Sequence, residues 1–166
     1  MKKLMLSLGV VCMLILTACG PSQNDAIKYN DQIVAIQKSL LPIHEAFIEQ
    51  IDGHNKDSLK LVHGQFMAKA KSTLEECRKL TDFNGKREYL DAALDYFKVL
   101  QDLADNEGKQ IVQIMTKDSS QVTDKDVTDV TAFAAKFDSE YAKVLQKVQD
   151  AQVAFSKDWK FEIKAD

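Results

Sequence analysis

The chain has 166 residues, with 22 Lys and Arg against 25 Asp and Glu and a formal charge of −3. This mildly acidic balance, without a Lys/Arg stripe interleaved with aromatics, excludes a nucleic-acid binder and gives no electrostatic attraction to an anionic bilayer. The length suffices to bury a sizeable core without disulfide staples.

The chain opens with Lys2 and Lys3, followed by 13 residues of apolar character from Leu4 to Leu16. That run is too short to span a bilayer as a stable anchor. It ends in Leu16-Thr17-Ala18-Cys19. Leu at −3, Ala at −1 and Cys at +1 resemble the lipobox of bacterial lipoproteins. The resemblance implies a diacylglyceryl thioether on Cys19, cleavage after Ala18 and acylation of the new amine. Two or three such palmitate-type chains tether a soluble domain stably to a lipid bilayer. The expected organisation is a signal peptide over 1–18, the lipidated cysteine and a short tether over 19–24, a bundle over 25–158 and a tail over 159–166. Cleavage leaves 148 of the 166 residues, which suits one domain. It also removes Lys2 and Lys3, so 20 cations face 25 anions and the charge becomes −5. Gly20 after the cysteine, rather than Asp, is compatible with outer-membrane sorting in a cell with two membranes. Cys12 leaves with the signal peptide and Cys19 carries lipid, so Cys77 stands alone in the mature chain.

Four segments then carry apolar residues at three- and four-residue steps, the pattern of amphipathic helices. The first runs from about Asp25 to Asp52. One of its rows is Ile27, Val34, Leu41 and Ile48 with Ile51; beside it lie Ile33, Ile36, Leu40, Ile43 and Phe47. Ser22 and Asp25 have capping-box spacing, and Pro42 predicts a kink or local break. Gly53-His54-Asn55 reads as a turn, with Asn55 or Asp57 as the next cap.

The second helix runs from about Lys56 to Leu80 on a seam of Leu59, Val62, Phe66, Ala70, Leu74, Cys77 and Leu80. That spacing makes Cys77 a core residue. The turn Asp82-Phe83-Asn84-Gly85 follows. The third helix runs from about Lys86 to Lys117, and one position, Glu107 before Gly108, breaks its apolar seam. The fourth runs from about Asp124 to Lys157, opened by the capping-box pair Thr123 and Asp126. The fold class that follows is all-α: an up-down-up-down four-helix bundle with both termini at one end. The tail residues Trp159, Phe161 and Ile163 lie at that same end.

Three arrangements are candidate sites. The third and fourth helices exceed the first two in length, so their hairpin is expected to project on the order of 10 Å past the first. That tip carries Ile111, Ile114, Met115, Val127 and Val130, a surface for a protein partner. Second, Asn30, Gln37 and His44 recur every seven residues as a polar stripe, either lining a ligand cavity or fixing helix register. Third, antiparallel pairing places His44 near His63, with Glu45 or Glu49 close by, a weak pattern for zinc or copper. Height matching puts Glu107 near His54, Lys56 and Lys60.

No signature of a hydrolase elbow, P-loop, zincin, thiol-redox pair, covalent haem or di-iron bundle is present. The expectation is a non-enzymatic envelope lipoprotein without cofactor or metal that binds another protein or envelope component. The alternative is a helical bundle that binds a small ligand or metal. Tyr29-Asn30-Asp31-Gln32-Ile33-Val34 is also similar to the opening of small helical surface lipoproteins of bacteria to which no activity is assigned.

Overall fold

The computed structural model describes residues 20–53 and 55–163. The expected signal peptide, Cys19, His54 and the last three residues of the tail lie outside the described residues. The described chain is an all-α four-helix bundle: α1 (Gln23–Asp52), α2 (Lys56–Arg78), α3 (Glu88–Leu103), α4 (Lys109–Met115) and α5 (Asp124–Asp158). A π-helical turn over Ala104–Gly108 joins α3 to α4 without leaving helical dihedrals, so the two make one long helix.

Local chemistry places the ends. Ser22 and Asp25 form a reciprocal capping box at the start of α1, as Thr123 and Asp126 do at α5. Asn55 caps α2 by accepting from the Ser58 amide at 3.0 Å. Between α2 and α3, Asn84 and Gly85 both have positive φ, 55° and 76°. Phe83 and Lys86 exchange two backbone hydrogen bonds across them, so this is a primed two-residue turn. It delays α3 to Glu88. Pro42 does not break α1, which runs as helix through it. Its ring lies on the exposed side, where water solvates the ladder that a missing amide leaves open.

Side-chain pairs set the direction of each neighbour. Tyr29 Oη donates to the Thr81 carbonyl at 2.9 Å, and the Phe47 ring lies 5.4 Å from His63 and 5.5 Å from Phe66. The start of α1 therefore meets the end of α2, and the pair is antiparallel. Lys86 bonds Asp158, Lys147 bonds Asp95, and Lys136 bonds Glu107, so α3 and α5 are antiparallel as well.

The core has two aromatic layers. At the base, Tyr29, Phe83, Tyr89, Phe155 and Trp159 pack together, Phe83 edge to face with Phe155 and Trp159 and the tyrosines tilted against Phe83 and Phe155. Trp159 and Phe161 fold back onto this layer and cover the end of the bundle. Midway up, Phe47, Phe66 and Phe137 pack with His44 and His63.

The expected projecting tip is not there. Lys56, at the top of the first hairpin, donates to the Lys117 carbonyl and lies 4.0 Å from the Asp118 carboxylate, at the top of the second. The hairpins end level. The reason is helix length: α1 starts two residues earlier than its pattern suggested, while the α3–α4 helix starts and ends two residues inside its pattern. Ile111 and Ile114 are consequently buried, and Met115 packs on the core. Val130 is half-buried, and Val127 alone of the five is fully on the surface, 61% exposed.

Candidate functional site

The helices do not close a complete ring. α1 packs chiefly on α2, α2 on α3 and α3 on α5, while α1 and α5 meet mainly through long side chains. Two rows on α1 explain this. Ala26, Ile33, Leu40 and Phe47 recur every seven residues and are fully buried. The adjacent row, Ile27, Val34, Leu41 and Ile48, has the same spacing but no helix covering it. Leu41 is 41% exposed and Ile48 is 37% exposed. Ile27, Val34 and Leu41 of this second row form the edge of a groove between α1 and α5.

The groove has a volume of about 680 Å³, within the range of ligand pockets. Ile27, Val34 and Leu41 line one wall, and Leu145 and Val148 the other. Phe161 and Ile163 border its base end. Its polar groups are mostly uncharged. Near the base, Asn30 Oδ1 accepts from Gln152 Nε2 at 2.8 Å and from Tyr89 Oη at 3.3 Å. Asn30 Nδ2 donates to Asp31 at 3.2 Å. Gln37 on α1 and Gln149 on α5 also line the groove, and neither makes a hydrogen bond among the described residues. At the upper end, Tyr96 and Tyr141 stand with rings 6.3 Å apart. Burial pushes the Tyr96 phenol well above its ordinary value, with Tyr141 adding to the shift.

The polar stripe thus divides. Asn30 and Gln37 line the groove, whereas His44 sits beneath its upper end, 4.7 Å from the Tyr141 ring and stacked on Phe137 at 5.7 Å. Burial lowers the His44 pKa, opposed in part by Asp138. Its Nε2 is buried without a hydrogen-bond partner among the described residues.

His44 and His63 do not form a pair. His44 touches Phe66, Phe66 stacks on Phe47, and Phe47 touches His63, so two rings stand between the imidazoles. His63 Nε2 lies 2.8 Å from the Ala104 carbonyl. An oxygen acceptor there assigns the proton to Nε2, leaving no lone pair on that nitrogen for a metal. Among the described residues no group of three or more His, Cys, Asp or Glu side chains is placed to hold a metal ion. Glu107 is buried on the π turn, and its partner is Lys136 from α5 rather than a group of the first hairpin.

Sequence reasoning missed Tyr96, Tyr141, Gln149 and Gln152 as groove residues. The available signal was the double apolar row of α1, one row more than a single bundle seam needs. No helix among the described residues is long and apolar enough to cross a membrane. Compared with protein-family models, with curated proteins and with solved structures, the chain matches none.

Proposed function

We propose that this chain is a non-enzymatic binding protein of the bacterial envelope, tethered by lipid on Cys19, that holds part of a partner protein in the α1–α5 groove. The groove carries the reading: a half-exposed heptad row, an opposing apolar wall and uncharged amides converge on a space that no part of the described chain fills. The lipid anchor rests on the lipobox resemblance at Leu16-Thr17-Ala18-Cys19. Only a few residues separate Cys19 from α1. At about 3.3–3.6 Å per extended residue that tether spans less than roughly 20 Å, so the groove's base end would face the membrane surface closely.

The test uses the full chain in its native envelope, with a photo-crosslinking residue at position 41 in the groove or at the exposed position 65 on α2. A discrete adduct is expected from position 41 and not from position 65. Equal labelling, or none at position 41, overturns the groove as the binding element. Cys19→Ala is expected to abolish palmitate labelling and signal cleavage; unchanged labelling overturns the anchor.

A further inference from the structure

We infer that the segment held in the groove is an extended stretch of the partner, about six residues long, with a cationic group at the membrane-proximal end. This rests on the binding role proposed above and names the ligand's chemistry.

The dimensions come first. From Ile27 to Leu41 the wall of α1 covers 14 residue steps, about 21 Å at 1.5 Å each. An extended chain advances about 3.3 Å per residue, so about six residues match that length. A helix with side chains is roughly 10–12 Å across and satisfies its own backbone. It would make no use of the carboxamides on the walls. An extended segment presents an unpaired N–H and C=O at each residue. Gln37 from one wall and Gln149 from the other, each able to donate and accept, are the complement of such a backbone. Val34, Leu41 and Leu145, each partly or largely exposed, supply apolar surface for its side chains.

Charge gives the polarity. Two carboxylates, Asp31 and Glu162, line the lower part of the groove. A segment with a cationic group low in the groove is favoured over the reverse. The lining argues against other occupants. Tyr96 is only 5% exposed, which leaves the half-buried Tyr141 as the single tyrosine ring of the groove a sugar could stack on. An acyl chain would offer the half-buried Gln37 no partner and gain nothing from Asp31 or Glu162.

The experiment pans a displayed random-hexapeptide library on the full lipidated chain in nanodiscs. The selected peptide is then synthesised with a fluorescent label for anisotropy. Gln37→Leu with Gln149→Leu should weaken it about tenfold or more, the scale of one or two net hydrogen bonds, with unchanged circular dichroism. Asp31→Lys should shift selection from a basic to an acidic residue at that end. The inference is overturned by a selection that yields nothing the double variant releases, by a peptide that is helical when bound, or by indifference to Asp31→Lys. Binding of cis-parinaric acid or of a soluble glycan oligomer that Leu41→Lys abolishes also overturns it. None of these results bears on whether position 41 crosslinks in the envelope, so the binding role and the ligand class fail separately.

Discussion

At the residue scale, burial decides how titratable groups behave. His44 is folded among Phe66, Phe137 and Tyr141, and its pKa is lowered because the imidazolium cannot be hydrated there. The unfolded chain, with a histidine near 6.5, therefore binds a proton at a higher pH than the native chain. Stability is then fully present above that value and falls as pH drops from about 6.5 through the folded pKa. Urea midpoints measured between pH 7.5 and 5 should decline across this window, and His44→Gln should flatten the slope. A midpoint independent of His44 would show the ring to be hydrated. Cys77 is a parallel case. It is fully buried at the α2 seam, and desolvation pushes its thiol up to about 11. Thiol reagents at pH 8 should label it slowly in buffer and quickly in denaturant; rapid native labelling would mean that α2 opens locally.

At the scale of elements, the π turn shows how a local irregularity is held in place. The extra residue in Ala104–Gly108 disturbs the helical ladder, and His63 from α2 bonds the Ala104 carbonyl at 2.8 Å. The ring lies close against the backbone: a Cβ on Gly108 would sit 3.2 Å from His63 Nε2 and 3.3 Å from the Leu103 carbonyl oxygen. His63 is pinned by its hydrogen bond and by Phe47, so it cannot retreat. Gly108→Ala should therefore destabilise by about 1–3 kcal/mol through overpacking, despite alanine's better helix propensity. In a His63→Ala background the same change should cost less, because only the contact with the Leu103 carbonyl oxygen remains. Additive effects in that cycle would sink the explanation. The α5 cap makes a second prediction. Thr123 accepts from the Asp126 amide at 3.2 Å and donates to its carboxylate at 2.9 Å. Thr123→Ala should cost about 1 kcal/mol in thermal or urea melts. A neutral result would mean that Lys117, which bonds Asp126 at 2.6 Å, holds the helix start by itself.

At the scale of the molecule, the bundle is tightly packed on three of its four sides and open on the fourth. Phe97, at the α3 seam, is fully buried, and Phe97→Ala should cost about 3–5 kcal/mol. Ile114→Asp should be of similar severity, because the tip packs level with the first hairpin, whereas Val127→Asp should change little. Leu41→Glu, on the groove's rim, should leave the melting temperature near wild type. If it unfolds the domain as Phe97→Ala does, the row Ile27, Val34, Leu41 and Ile48 is ordinary core and the groove is closed in solution.

Much of this architecture could be read before any coordinates. The four helical stretches, both capping boxes, the Asn84-Gly85 turn and the core position of Cys77 all follow from interactions within a few residues, and local spacing reports those faithfully. The seam of the third helix, from Leu90 through Phe97 to Ile111, is likewise buried as its period implied. What lay beyond the sequence depends on how far apart helices stand. Heptad spacing identifies an apolar row but not whether another helix covers it, so Ile27, Val34 and Leu41 looked the same as Ile33 and Leu40. Small changes at helix ends decided that the hairpins finish level and that Ile111 and Ile114 are core. The partner of Glu107 was set by the lateral position of α5, which brings Lys136 to it. The groove itself belongs to the tertiary structure alone, because it exists only where α1 and α5, the first and last helices among the described residues, fail to pack backbone to backbone.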